Sequence, residues 1–218
     1  MTLKNTATRL LVTAIALTLW FGTQALIGQR PPPVHGVGDV LHDFSAPLNQ
    51  YLHQHPGAAD ALLIVSSGVV DLLAIFVLAE WIFGSSVRPL LGLFTLMGLR
   101  QVMQALCTLA TPDNMIWRNP GFSSLLVTYD VANDYFFSGH TAIAVFAATE
   151  LARLGRRWLT LLAVVVVLFE AATVLVLRAH YTMDVFTGLI AALYVAHLSE
   201  RISPALDRRL AKFSVIKG

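Results

Sequence analysis

The sequence has a single cysteine, Cys107, so it can form no internal disulfide and no cysteine-built zinc site. Charge is scarce as well. Asp, Glu, Lys and Arg make up 13% of the 218 residues, about half the share of an ordinary soluble domain. The net charge of +2 is too small to mark a nucleic-acid surface, so no nucleic-acid partner is expected. There is no internal repeat and no low-complexity tract. What fills the chain is apolar: 56% of the residues are hydrophobic, and the mean hydropathy is +0.67. These values exclude a disordered or collagen-like chain and argue against a soluble globular one.

The pattern predicts an all-α fold, a six-transmembrane helical bundle forming one integral-membrane domain over 1–218. A spanning helix needs about 20 mostly apolar residues. Six runs meet or approach that length, at 7–28, 58–83, 87–110, 139–154, 158–178 and 182–199. The fourth and sixth are the shortest. The first also reads as a cleaved signal peptide, with Lys4 and Arg9 as its basic region and Thr23-Gln24-Ala25 as a weak cleavage site. The length of its apolar run favours a span. With six spans, most basic residues, among them Lys4, Arg88, Arg153, Arg201 and Lys212, fall on one side. The other side holds Arg30, Arg118 and Arg178. The positive-inside rule then puts both termini in the cytoplasm. The compact length, without targeting extensions, fits a bacterial inner membrane.

The first outer segment, 29–57, carries Val40, Leu41, Phe44, Leu48 and Leu52 at helical spacing, with Asp39 as a candidate N-cap. This predicts an amphipathic surface helix after the first span. A loop packed over the bundle is the alternative. His35, His42, His53 and His55 in this segment are irregularly spaced and read as solvated.

Polar residues in apolar spans are costly, so their placement carries information. Two runs stand out: Asn133-Asp134-Tyr135-Phe136-Phe137-Ser138-Gly139-His140-Thr141 and Arg178-Ala179-His180-Tyr181-Thr182-Met183-Asp184. Each opens an apolar span, and both openings lie on the extracytoplasmic side of the predicted topology. His180 and Asp184 are four apart, on one helical face if both are helical. A carboxylate there can hold one imidazole nitrogen as a donor and leave the other as a nucleophile. Ser138-Gly139 before a helix offers free amides and a positive helix end to an anion, with His140 beside it. The blander reading of either histidine is an interfacial side chain, and a His/His/Asp metal site is a further alternative. Two histidines in dense polar runs at one depth favour a catalytic pair.

Asp134-Tyr135-Phe136-Phe137-Ser138-Gly139-His140-Thr141 resembles the D-Y-x-x-S-G-H-T signature of the sphingomyelin-synthase-like branch of the phosphatidic acid phosphatase type 2 superfamily. His180-Tyr181-Thr182-Met183-Asp184 matches that branch's H-Y-T-x-D. Arg178 and Gly188 are also similar to the plant phosphatidylcholine:diacylglycerol cholinephosphotransferases, and Arg100 with Pro112 to a third motif of the branch. No K-x6-R-P phosphatase signature precedes the S-G-H run. The resemblance implies an enzyme working through a phosphohistidine. His180 would attack phosphorus, Asp184 orient it, and His140 exchange the proton. Arg100, Arg178, Ser138, Gly139, Asp134, Tyr135 and Tyr181 would bind phosphate or substrate. Membrane lipids would be donor and acceptor, with no metal or other cofactor. Transfer of phosphocholine or phosphoethanolamine to diacylglycerol or ceramide leads. A lipid phosphatase or phospholipase C-type hydrolase is the rival, and a lipid scramblase or carrier is the non-enzymatic alternative.

Three charges fall within spans: Asp71, Arg100 and Glu170. Counting about 1.5 Å per residue, all three sit roughly 18–20 Å from the cytoplasmic ends. They are expected to form one polar layer with Arg100 between acidic partners, either as the chamber floor or as an ion pair joining helices.

Overall fold

A computed structural model of the chain describes residues 36–127, 129 and 135–215, together with positions 11, 15, 18 and 22. Residues up to Gly38 form one compact unit and Asp39–Gly218 another. Positions 11, 15, 18 and 22 are helical; the rest of the expected 7–28 span lies outside the described residues. The described part of the second unit is all-helical. Its elements are α1 (Val40–Gln54), α2 (Pro56–Phe83), α3 (Arg88–Leu106), α4 (Gly139–Arg153), α5 (Arg157–Val176) and α6 (Thr182–Val215).

The long helices turn their apolar side chains outward. On α5, Leu161, Val164, Val165 and Leu168 are exposed, while Ala163, Glu170, Thr173 and Val174 are buried. On α2, Leu72, Ile75 and Ile82 face out, while Ser66 and Ser67 face in. Water would not tolerate such surfaces, and a bilayer requires them. The chain is an integral membrane protein.

Three helices are long and apolar enough to cross a membrane: α2, α5, and α6 over Thr182–Lys212. The other two expected spans within the second unit do not qualify by themselves. α3 carries Arg88 and Arg100. α4 has 15 residues, about 22 Å of helix against a hydrocarbon core of about 30 Å. The reason is position. α4 packs against α2, α3, α5 and α6, and its run from His140 to Ala147 is buried on every side. Its small residues, Ala142, Ala144 and Ala147, let the neighbours approach, so it has little use for a lipid-facing surface. Phe137, Phe146, Leu96, Val77 and Val195 fill the core around it.

Among the described elements, expected and observed ends differ most at the sixth. The sixth element does not stop at Ser199 but runs through Pro204 to Val215. Glu200 and Arg201 end its apolar run without ending its helix, and Asp207 secures the extension by accepting from Ser86 Oγ and Val87 N, both at 2.8 Å. The outer segment is the expected amphipathic helix, α1, capped by Asp39, and its apolar stripe faces outward. Val40, Leu41, Phe44 and Leu48 are exposed, and only Leu52 of the expected stripe is buried. The inward face is polar because the carbonyls beneath need donors. Asn49 Nδ2 serves Val176 O at 2.8 Å and Asn114 O at 3.2 Å.

Candidate active site

The turn between α5 and α6 carries Arg178 to Tyr181. Arg178 takes a left-handed backbone (φ +54°), which reverses the chain. Tyr181 caps α6, and Asp184, three residues on, reaches back so that Oδ2 accepts from Tyr181 N at 2.9 Å. That is half of a capping box. His180 therefore precedes the helix rather than sharing a face of it with Asp184. The turn still brings them close, with Nδ1 3.8 Å from Asp184 Oδ2. The hydrogen bond of Nδ1 goes instead to the carbonyl of Tyr135, at 2.7 Å. A carbonyl only accepts, so Nδ1 carries the hydrogen and the Nε2 lone pair of the neutral ring is available. The carboxylate is a nearby charge rather than the direct orienter, because capping α6 draws its oxygen away.

The start of α4 is strapped to the start of α6. Ser138 N donates to Asp184 O at 3.1 Å. Ser138 Oγ caps α4 by accepting from Thr141 N at 3.3 Å and Thr141 Oγ1 at 3.1 Å. Gly188 permits the approach, since a Cβ there would sit 2.7 Å from Ser138 O. Gly139 likewise gives room to Arg100, whose Nε would lie 3.2 Å from an added Cβ. Arg100 Nε donates to Phe137 O at 2.9 Å. The amides of Gly139 and His140, in the first turn of α4, have no acceptor within the helix.

His140, His180, Arg100, Gly139 and Tyr135 all line one cavity of about 380 Å³. Among the described residues, His140 Nε2 is buried without a hydrogen-bond partner, and so is Asp184 Oδ1. Trp117 packs its ring edge-on to His140, centroids 5.3 Å apart. Among the described residues, no three His, Cys, Asp or Glu side chains gather as metal ligands.

Other expected site residues lie elsewhere. Arg178 does not line the cavity; its Nη2 and Nη1 donate to the carbonyls of His42 and Asp113 at 3.0 and 3.2 Å. Tyr181 donates its hydroxyl to Ala110 O at 3.1 Å. Asp134 lies outside the described residues. The expected three-charge layer does not form. Asp71 accepts from Ser124 Oγ and from the amides of Leu125 and Leu126, at 2.8–3.1 Å. Glu170 accepts from Ser66 Oγ at 2.6 Å. Equal depth put these acids at one level, but they face different neighbours, and neither pairs with Arg100.

His42 was expected to be solvated. It is buried, and its Nε2 donates to His180 O at 2.9 Å while its ring stacks on Tyr181. The signal for it is its seven-residue separation from Asn49, two helical turns, which puts both on one face. Asp39 has a second task beyond its expected cap: its oxygens also accept from Thr182 N and Thr182 Oγ1 at 2.5 and 2.6 Å. One carboxylate thus ties the starts of α1 and α6 together behind His180.

The AtPDCT1/2 family model matches residues 38–201, which hold every element of the histidine turn and the cavity. The chain is also similar to phosphatidylcholine:diacylglycerol cholinephosphotransferase 1 of Arabidopsis thaliana, 20% identical over 162 residues. The alignment covers 74% of this chain and 52% of that protein, so the chain spans about half the length of this curated relative. No solved structure matches. With three quarters of its length inside the family match, the chain belongs to the AtPDCT1/2 family.

Proposed function

We propose that the protein is a membrane lipid phosphotransferase. It moves a phospho-headgroup from a glycerophospholipid to a lipid alcohol through a phosphohistidine on His180. The observation that carries this reading is the shared cavity: two imidazoles, an arginine and a helix start face one space, and Nδ1 of His180 is tied to a carbonyl. The A. thaliana relative, named as a cholinephosphotransferase between phosphatidylcholine and diacylglycerol, favours phosphocholine as the group and diacylglycerol as the acceptor. Phosphoethanolamine and ceramide are the other members of the same chemical class.

In this reading the phosphate sits against Arg100 and the first-turn amides of α4, which oppose the negative charge that grows on its oxygens. Nε2 of His180 attacks phosphorus. The P–O bond to the diacylglycerol breaks, and His140 gives its proton to the departing oxygen. An acceptor hydroxyl then returns a proton to His140, its oxygen attacks phosphorus, and the P–N bond breaks. Asp184, 3.8 Å behind, stabilises the positive charge that His180 acquires. Arg178 acts on the His180 turn through carbonyls, not on the phosphate. The chain crosses the bilayer six times, and the asymmetry of basic residues puts the histidines toward the extracytoplasmic side.

The test is purified protein with choline-labelled phosphatidylcholine, with and without added diacylglycerol. The expected result is labelled phospholipid that requires the acceptor, and an acid-labile label on the protein that His180→Ala abolishes. Free phosphocholine released at the same rate without acceptor would mark a hydrolase. Lipid movement that survives His180→Ala, with no labelled product, would mark a carrier.

A further inference from the structure

The cavity does not end at the histidines. On α3 it runs from Arg100 and Gln101 past Met97 to Phe94 and Leu93, and on α2 from Val70 to Leu78. At about 1.5 Å per residue, this adds some 10–12 Å of groove between the two helices. Its two ends differ in kind. The histidine end is polar, with Arg100 and two imidazoles, whereas Leu78, Leu93, Phe94 and Met97 line the far end with no polar side chain among them.

Two apolar residues belong both to the cavity wall and to the outer surface. Phe94 is 68% exposed and Leu126 is 43% exposed, although both line the space. The cavity therefore opens sideways, between α2, α3 and the 124–127 segment, where the apolar surface of the helices meets the acyl chains of the bilayer. The segment is not helical, and such backbone survives at membrane depth only if its polar groups are satisfied. Asp71 satisfies the amides of Leu125 and Leu126, which holds Leu126 in place at the mouth.

We infer that this groove is the channel for one acyl chain of the phospholipid whose phosphate occupies the histidine end. The inference rests on the headgroup-transfer reading for its polar end. The occupant follows from continuity and charge: a ligand that reaches from Arg100 into an apolar slot opening on the bilayer is anionic at one end and a hydrocarbon chain at the other. A water-soluble phosphoester has no use for the far end.

The experiment uses the full-length protein in phospholipid nanodiscs with a phosphatidylcholine that carries a diazirine midway along one acyl chain. After illumination, adducts mapped by mass spectrometry are expected on Leu78, Leu93 or Met97, inside the mouth that the exposed Phe94 marks. In parallel, Leu93→Trp narrows the groove. The ratio of turnover on dioleoyl- to dihexanoyl-phosphatidylcholine is expected to fall at least about tenfold, the scale on which a pocket resolves chain length. Adducts confined to residues outside the groove overturn the channel. So does a wild-type ratio in a Leu93→Trp protein whose thermal midpoint is unchanged. The crosslink needs no turnover. Groove adducts on a protein that transfers nothing would keep the channel and remove the transferase, while transfer without groove adducts would do the reverse.

Discussion

The two ends of the helix bundle use buried polar groups in opposite ways. At the end far from the histidines, Glu150 is 2% exposed and fully engaged. Arg88 reaches it through Nε at 3.1 and 3.2 Å and through Nη2 at 2.6 Å, and Arg153 stands 3.5 Å away. Arg153 continues to Glu200 at 2.9 Å. These contacts join the start of α3, the end of α4 and the middle of α6. At the histidine end, His140 Nε2, Asp184 Oδ1 and Arg178 Nε are buried with no partner among the described residues. Buried polar atoms are ordinarily paired, and each exception asks for a reason. One end spends its charges on holding helices together. The other leaves His140 Nε2 uncommitted on the cavity wall, where a charged ligand is expected to supply what is missing.

The largest test of this contrast is at the histidines. His180→Ala is expected to remove headgroup transfer by at least about 10³-fold, and His140→Ala to lower it by about 10²–10⁴-fold, the range for a positioned acid–base group. Both are to be read as initial rates on labelled phosphatidylcholine. Both variants should keep a near-wild-type thermal midpoint in detergent, since neither imidazole closes a helix contact comparable to the Arg88–Glu150 pair. Glu150→Ala is expected to do the opposite. Removing one partner of a buried ion pair costs about 3 kcal/mol, because the other charge stays behind. The thermal midpoint should drop by several degrees, while the rate per folded molecule stays within about twofold. An equal loss of rate in Glu150→Ala would erase the distinction between the two ends.

Gly188 sharpens the comparison from a third position, because it sits on the strap rather than in the cavity. Gly188→Ala drives a Cβ to 2.7 Å from Ser138 O, a backbone atom that cannot swing aside. Overpacking of this kind costs about 1–3 kcal/mol. It also moves the start of α4, with His140, relative to His180. Transfer is expected to fall about 10²-fold, the scale for misplacing reacting groups by an ångström. A Gly188→Ala protein with a lowered midpoint and an unaltered rate would show that the strap serves stability alone.

Much of this was legible in the residues, for reasons that can be named. The helices announce themselves because lipid-facing apolar runs have no competing explanation. The two polar runs were visible as a pair because membrane segments carry so few polar residues. What the chain order hid was direction. Asp71, Arg100 and Glu170 lie at similar depth, yet depth says nothing of the azimuth a side chain faces, and Asp71 turns to loop amides far along the chain. α4 looked too short to span because its surroundings are protein, a fact that periodicity alone does not carry. Phe44, 85% exposed, belongs to the stripe whose spacing marks an amphipathic surface helix, but spacing does not name the polar residues beneath it. In a membrane the apolar face of α1 turns to the lipid, and His42 and Asn49 are the ones that face in.

The smallest expected effect concerns Asp39, which stands behind the histidine turn without touching the cavity. Burial by itself raises its carboxyl, but the bonds from the Thr182 hydroxyl and amide, and the charge of His42, outweigh that and hold it below its ordinary value of 3.8. A carboxyl lowered in the folded state stabilises the fold wherever the unfolded chain would already be ionised. The contribution is therefore complete above about pH 5 and fades as the pH falls through 3.8 and below. Asp39→Asn keeps an oxygen for one amide but loses the charge. It should cost about 1 kcal/mol at neutral pH, the usual size of a lost cap, and flatten the acid limb of the stability curve. The measurement is the thermal midpoint of both proteins between pH 3 and pH 7. The two curves should converge at the acid end and separate toward neutrality. Because Asp39 ties α1 to Thr182 at the histidine end, its loss should also slow transfer modestly, by a few fold. A variant that moved the midpoint and left the rate alone would make α1 a mere cover over the turn. A variant that moved the rate at an unchanged midpoint would make the clamp part of how His180 is aimed.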